Sequence, residues 1–226
     1  MKRTPEPDLM NQAEQAYAYA NADFTEPHNT FVSIFKNKLI LNPKHEKVLD
    51  LGCGPCDITI RMAKQFPNFS FTAIDGATEM LKLGELSIEK NKLKNKIQLI
   101  NAYIPIEKIK LSSQLNHNFD IIISNSLLHH LKNPMDLWMS IRNYASPNAN
   151  ILIMDLLRPK NKSEAERLVD QYSEHEPEIL KKDFYNSLLA AYSVAEVQQQ
   201  LVTQSLNLNI EIISDRHFIV YGKITD

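Results

Sequence analysis

The sequence of 226 residues lacks several features that would each indicate a particular class of protein. Its two cysteines, Cys53 and Cys56, have no second Cys-x-x-Cys pair or His-x3-His to complete a zinc site, so we interpret them as small residues in a tight loop. There is no apolar run near the roughly 18 residues of a membrane span, and the first residues lack the apolar core of a signal peptide. We therefore expect a cytoplasmic protein without a membrane or metal site.

An excess of positive charge is also missing. The formal net charge is -2 and the pI is about 6.4, which gives no general attraction to phosphate backbones, so the composition does not favour nucleic acid as a partner. No repeat, linker or low-complexity tract divides the chain, and the hydrophobic share of 43% is ordinary for a globular protein. We expect one domain with one core, and nothing in the composition indicates an oligomeric state.

Short runs rich in Val, Ile and Phe alternate with segments of helical periodicity. The runs predict buried parallel strands at 47–51, 69–75, 97–101, 119–124 and 150–155. Helices are predicted between them at 58–66, 78–91 and 134–144, the last with Asn133 as its N-cap. Two further runs, at 209–214 and 217–223, predict an antiparallel hairpin. This is an α/β fold: a doubly wound, mostly parallel, seven-stranded Rossmann-like sheet with a C-terminal antiparallel hairpin.

Four segments make up the predicted single domain, 1–226. Residues 1–46 are an N-terminal helical lid, with an amphipathic region at 11–41. Residues 47–158 are the ligand-binding core, 159–208 are a helical insertion with two or three helices, and 209–226 are the closing hairpin.

The first predicted strand ends in a glycine turn that opens a helix. Asp50 precedes Gly52 and Gly54, and Asp75 follows at the end of the second strand. Dinucleotide dehydrogenases place a third glycine where this chain has Asp57, and a carboxylate at Asp50 would repel a pyrophosphate. The same carboxylate suits an α-amino group, and Asp75 is placed to accept from two ribose hydroxyls, so an amino acid joined to a nucleoside fits both acids. Alternatively, Asp50 caps the loop and Asp75 caps the following helix.

The segments "VLDLGCGPCDIT", "AIDGATEML", "NSLLHHLKNP" and "ILIMDLLRP" resemble class I S-adenosylmethionine-dependent methyltransferases, close to the ubiquinone-biosynthesis-like small-molecule branch, over about residues 47–158. The resemblance implies S-adenosylmethionine as the cofactor. It also implies a set of contacts with it: Asp50, Gly52 and Gly54 at the methionine part, Asp75 at the ribose, Gly76 and Met80 at the adenosine, and Asn101 and Ala102 at the adenine amino group. Asn125, after the fourth strand, is a further candidate for cofactor binding. Asn101 replaces a frequent Asp, and Cys56 a frequent Gly.

The acceptor site is expected at the carboxyl ends of the fourth and fifth strands. His129 or His130 is a candidate general base, although one of them alternatively packs in the core and the other bonds a loop carbonyl. Arg158 is a candidate clamp for an acidic acceptor, or a partner of a helix carboxylate. Tyr17 and Tyr185 are candidate walls of the acceptor site.

We expect methyl transfer to a small-molecule acceptor by in-line displacement. The chain has neither Asn/Asp-Pro-Pro-aromatic nor Pro-Cys after the fourth strand, which argues against methylation of nucleic-acid bases by those two routes. The alternatives are another transferase that uses adenosylmethionine or acts on tRNA, a non-catalytic cofactor-binding partner protein, and, with least support, a dehydrogenase.

Overall fold

Seven strands alternate with helices in the computed structural model, which describes residues 1–6, 12–39, 41, 46–105 and 118–225. The strands are β1 (Lys47–Leu51), β2 (Ser70–Asp75), β3 (Ile97–Asn101), β4 (Phe119–Asn125), β5 (Ala145–Leu156), β6 (Asn209–Ile212) and β7 (His217–Lys223). Between β1 and β5, the described residues form the helices α3 (Asp57–Gln65) and α4 (Thr78–Lys90), a 3-10 turn at Leu128–His130 and the helix α5 (Met135–Tyr144).

The strands form one sheet in the order β3-β2-β1-β4-β5-β7-β6. The five strands from β3 to β5 are parallel, while β7 runs antiparallel to both β5 and β6. The order reverses direction between β1 and β4, so the carboxyl ends of these strands open a crevice between them. The fold class predicted from the sequence is confirmed.

Helices outside the central alternation lie in two groups. The N-terminal group is α1 (Ala13–Asn21) and α2 (Thr25–Lys38), and the insertion contains α6 (Lys162–Ser173), α7 (Glu178–Ala190) and α8 (Val194–Thr203). Helix α1 packs against α4 and α7, and α2 packs against α3. The N-terminal helices therefore lie close to the crevice, beside the insertion.

Some predicted boundaries were wrong. Strand β5 begins at Ala145 rather than at 150, because Ala145 pairs with Phe119 before an irregular step in the register, with Asn148 at φ 63°. Helix α5 has Pro134 as its N-cap instead of Asn133. The Asn133 side chain still accepts from the Met135 amide at 3.2 Å, so it closes the turn before the helix.

Two apolar layers cover the two faces of the sheet. Leu49 and Leu51 of β1 belong to a cluster with Trp138 of α5, whereas Val48 belongs to a cluster with Phe35 of α2. Successive residues of a strand point to opposite faces, so burial of both sets means that helices cover both sides of the sheet. In the part of the chain that the structure describes, no helix is long and apolar enough to cross a bilayer.

One buried hydrogen bond links helix α5 to helix α8. The indole Nε1 of Trp138, a fully buried side chain, donates to Gln200 Oε1 at 2.9 Å, and Gln200 is itself 5% exposed. Because both partners are withdrawn from water, the amide oxygen has no solvent substitute for this donor.

We expect Trp138→Phe to lower the free energy of unfolding by about 1–3 kcal/mol, since it leaves the Gln200 oxygen buried without its donor. Urea unfolding followed by circular dichroism measures this, and Tyr17→Phe at an exposed tyrosine is the control. An unchanged midpoint for Trp138→Phe would contradict the role given to this bond.

Candidate active site

A cavity of about 180 Å³ opens at the carboxyl ends of β1, β2 and β4. We call it the glycine-turn cavity. Of the predicted cofactor residues, its walls include Asp50, Gly52, Gly54, Asp75, Met80 and Asn125. These six come from three strand ends and α4, so the fold brings together residues spread over 75 positions of the sequence, from Asp50 to Asn125.

The glycine turn has three residues in the left-handed region: Gly52 at φ 74°, Gly54 at φ 51° and Cys56 at φ 65°. A β-carbon on Gly52 would lie 2.8 Å from the Leu127 side chain, whereas one on Gly54 would meet nothing within 4 Å. Gly52 therefore allows Leu127 to approach, and Gly54 leaves open space toward the cavity. Cys56 holds a conformation that favours glycine, in keeping with the residue usual at this place in the resembling family.

Asp75 joins the turn to the start of α4. Its Oδ2 accepts from the Gly54 amide at 2.8 Å, and its Oδ1 accepts from the Ala77 amide at 2.7 Å. Each carboxylate oxygen has a further lone pair, so these bonds leave acceptor capacity for hydroxyl groups in the cavity. Burial raises the pKa of Asp75, and the hydrogen bonds from Ala77 and Gly54 oppose this rise.

Asp50 lies deeper, with 3% of its surface exposed, and accepts from the Thr59 hydroxyl at 2.5 Å. Burial raises the pKa of Asp50 to about 7, while the Thr59 hydrogen bond lowers it and the negative charge of Asp75 raises it by smaller amounts. A cationic group in the cavity would favour the ionised form of this carboxyl.

Three predicted residues lie beside the cavity without lining it. Gly76 is covered by the ring of Tyr103, which lies 2.8 Å from where a β-carbon on Gly76 would stand. Asn101 donates through Nδ2 to the Asp75 and Gly76 carbonyls, and the Ala102 amide donates to the Asp75 carbonyl at 3.1 Å. They fix the end of β2, so their predicted contacts with adenine remain a prediction.

The N-terminal helices supply walls that sequence reasoning missed. Tyr19, Phe24 and His28 line the glycine-turn cavity. His28 Nδ1 lies 2.5 Å from Asp57 Oδ2, which ties α2 to the first residue of α3. The amphipathic pattern at 11–41 indicated a lid, but the pattern alone does not tell which residues face the ligand.

A second cavity of about 280 Å³ adjoins the first, and we call it the histidine cavity. Its walls include His129, Phe184 and Arg216, and it shares several residues with the glycine-turn cavity: Tyr19, Ala22, Phe24, His28, Asn125, Ser126 and His130. Asn125 Oδ1 is buried and has no hydrogen-bond partner within the described ranges. A polar acceptor without a partner at the junction of two cavities is suited to a ligand donor.

The two histidines have different carboxylate partners. His129, which is 2% exposed, places Nδ1 2.7 Å from Asp155 Oδ1, whereas His130 Nδ1 faces Glu6 Oε2. Burial alone would lower the pKa of His129, but the negative charge of Asp155 and the hydrogen bond to it outweigh burial and raise this pKa. His129 lines only the histidine cavity, and His130 lines both cavities.

The two tyrosines predicted to line the acceptor site lie outside both cavities, and an aromatic residue close to each of them in the sequence lines a cavity instead. Tyr17 is 64% exposed and outside both cavities, while Tyr19, two positions on, lines both. Residues two apart on a helix lie about 200° apart, so only one of them faces inward. Likewise Tyr185 packs against the apolar cluster around α6 and α7, and Phe184 lines the histidine cavity.

Arg158 forms an ion pair in the first turn of helix α8. Its Nη2 lies 2.6 Å from Glu196 Oε2, and Ser193, the N-cap of α8, donates to the same carboxylate oxygen. Arg158 lines neither cavity, so the structure matches the alternative in which it pairs with a helix carboxylate.

Strand order, the glycine turn and the paired acids define a doubly wound protein with a nucleoside-type crevice. A family model described as "Methyltransferase domain" matches residues 42–209, and the chain belongs to this family. Among solved structures, an S-adenosylmethionine-dependent methyltransferase from Aquifex aeolicus has a TM-score of 0.69 at 17% identity, covering 95% of this chain and 99% of that one. The expected family, class I fold and cofactor class are confirmed.

Curated relatives match part of the chain. A malonyl-[acyl-carrier protein] O-methyltransferase from Halalkalibacterium halodurans is 27% identical over 105 residues, 46% of this chain and 37% of that protein. A release factor glutamine methyltransferase from Flavobacterium psychrophilum is 38% identical over 93 residues, 41% of this chain and 30% of that protein. The matches span between 29% and 39% of the length of these curated relatives.

We expect Gly52→Ala and Gly54→Ala to differ in their effects. Both place alanine at positive φ, which costs about 1–2 kcal/mol, but only Gly52→Ala adds a clash with Leu127, for a total of about 2–4 kcal/mol. Gly54→Ala instead puts a methyl group into the glycine-turn cavity, so it should weaken binding of S-adenosylhomocysteine more than it lowers stability. Thermal unfolding and calorimetry measure the two effects, and equal destabilisation would contradict the assigned packing.

Binding of S-adenosylhomocysteine should strengthen about tenfold from about pH 5.5 to about pH 7, because only ionised Asp50 attracts an α-ammonium group. Without ligand, the contribution of Asp50 to folding stability changes with pH in the opposite direction. The folded chain holds a proton that the unfolded chain releases, so the contribution of Asp50 to stability falls as the pH rises from about 4 through about 7. In calorimetry, Asp50→Asn should bind weakly without this pH dependence. Persistence of the dependence in that variant would assign it to another group.

Proposed function

We propose that this protein transfers a methyl group from S-adenosylmethionine to a small-molecule acceptor held in the histidine cavity. The observation that carries the proposal is the junction of the two cavities, where Asn125, Ser126 and His130 belong to both walls. A cofactor in one cavity and an acceptor in the other would meet at these residues.

The residues of the glycine-turn cavity fit the cofactor. Asp50 would hold the α-ammonium group, Asp75 the ribose hydroxyls, and Gly54 leaves open space beside them. The buried Asn125 Oδ1 offers an acceptor to the ligand. When bound, S-adenosylmethionine supplies an electrophilic methyl group.

The walls of the histidine cavity favour a small acceptor over nucleic acid. Phe24, Leu180 and Phe184 contribute apolar surface. Besides the histidines, the acidic and basic walls are one guanidinium, Arg216, and four carboxyl groups: Asp23, Glu26, Glu176 and Asp183. Arg216 is itself 3.4 Å from Glu26 and stacks on the Tyr172 ring. An excess of carboxyl groups in the lining would repel a phosphate backbone, which argues against the tRNA-modifying alternative.

His130 is the general base in this proposal, for acceptors whose nucleophilic atom begins protonated. It lines both cavities, so its ring lies where the acceptor and the cofactor would meet. His129 is less suited to this role, because it is 2% exposed and lines only the histidine cavity. Tyr19, Phe24 and the helices that carry them would position the acceptor for methyl transfer and exclude water from the site.

The alternative of a non-catalytic binding protein finds less support. Its expected sign is a wall between the cofactor and any acceptor, whereas here the second cavity adjoins the first. We further propose a cytoplasmic location, in keeping with two free cysteines at the ligand turn.

The test is transfer of a tritiated methyl group from S-adenosylmethionine to a panel containing a phenol, an aliphatic carboxylic acid, a primary amine and a thiol, with total transfer RNA in parallel. We expect label in one or more of the small molecules. Exclusive labelling of RNA would contradict the proposed acceptor class.

With a protonated acceptor, His130→Gln should lower kcat by about a hundredfold, because a positioned base contributes on that order. His175→Gln, at an exposed turn, is the matched control and should leave kcat unchanged. Full turnover by His130→Gln would remove the base from the mechanism and leave the cofactor assignment standing.

A further inference from the structure

The first six residues cross the helical insertion and reach the 3-10 turn that carries the histidines. The Thr4 amide donates to the Leu189 carbonyl at 2.9 Å, close to the end of α7. Arg3 donates through Nε to the Ala190 carbonyl at 2.6 Å and through Nη2 to the His129 carbonyl at 2.8 Å. The Arg3 guanidinium also lies over the Tyr192 ring, 4.2 Å from its centroid.

These contacts place the Glu6 carboxylate beside His130. Glu6 Oε1 accepts from the Ser187 hydroxyl at 2.6 Å, and Glu6 Oε2 faces His130 Nδ1. The side chains of Glu6 and His130 are 10% and 18% exposed. Burial alone would raise the pKa of Glu6, but the hydrogen bond and positive charge of His130 hold that pKa at about 2, so the carboxylate stays ionised.

A carboxylate that accepts at Nδ1 fixes both the tautomer and the orientation of an imidazole. The proton of the neutral ring stays on Nδ1, so Nε2 keeps the lone pair that takes up a proton. His129 and Asp155 form a similar pair nearby, with the two imidazole centroids 4.0 Å apart. Of the two rings, only that of His130 lines both cavities, so its orientation bears on the meeting point of cofactor and acceptor.

We propose that Glu6 is a positioning residue for His130, and that residues 1–6 thereby form part of the catalytic centre. Ser187 of α7 supports the carboxylate from its other oxygen, so the helical insertion and the N-terminal segment act together. The inference rests on the proposed role of His130 as the base.

A spectroscopic test needs no acceptor. Long-range proton–nitrogen NMR of protein labelled with 15N in histidine, at alkaline pH where the ring is neutral, reports which nitrogen carries the proton, and His130→Gln identifies the signals. We expect the proton on Nδ1 in the wild type and a shift toward Nε2 in Glu6→Ala. Glu6→Gln retains an acceptor oxygen and should restore the wild-type tautomer.

Glu14→Ala, which removes an exposed carboxylate at the start of α1, is the matched control and should keep the wild-type spectrum. Ser187→Ala is a second variant that leaves Glu6 in place, and it should shift the tautomer partway. A wild-type tautomer in Glu6→Ala, or a proton on Nε2 in the unaltered protein, would overturn the proposal.

Turnover of a panel acceptor separates this proposal from the proposed function. Glu6→Ala should lower kcat about tenfold without changing the KM for S-adenosylmethionine, and Glu6→Gln should recover most of the loss. If His130→Gln lowers kcat and Glu6→Ala does not, the positioning role is wrong and the base role stands. If His130→Gln leaves kcat unchanged, the base role is wrong, and the NMR result alone decides whether Glu6 orients the ring.

Discussion

The site depends on the carboxylate of Asp75, which binds two backbone amides from different elements. It holds Gly54, in the turn after β1, and Ala77, before α4, and so fixes the relative position of two parallel βα units at their carboxyl ends. Parallel strands in register bring Asp50 and Asp75 to this edge of the sheet. Because a carboxylate has more acceptor sites than these two amides use, one side chain can both stabilise the turn and bind a ligand.

The buried ionisable groups give the two cavities different electrostatic properties. In the glycine-turn cavity burial raises the pKa of Asp50 and of Asp75, a state that a cationic ligand group would reverse. Beside the histidine cavity, His129 and His130 each have a carboxylate partner, Asp155 and Glu6, and the pKa of Glu6 is held low. A cationic ligand group would thus complement the acids of the first cavity, whereas His129 and His130 already have carboxylate partners.

Local sequence signals predicted the fold and several of the residues that meet at the glycine-turn cavity. The turn, the acid before it and the acid at the end of β2 lie within one βαβ unit, where short-range spacing determines the geometry. The remaining walls depend on packing between distant segments. Helical periodicity marked α1 as amphipathic but did not separate Tyr19 from Tyr17, and Glu6 lies 124 residues from His130 in a stretch with no periodic pattern. Arg158 follows β5, as predicted, but its side chain forms an ion pair with Glu196 of α8.

Calorimetric titration of the purified protein with S-adenosylhomocysteine and NAD in parallel tests the central claim most directly. The arrangement of Asp50, Gly54 and Asp75 predicts binding of S-adenosylhomocysteine at about micromolar dissociation constant and no binding of NAD, whose pyrophosphate would meet the Asp50 carboxylate at the glycine turn. Binding of NAD without binding of S-adenosylhomocysteine would contradict the account.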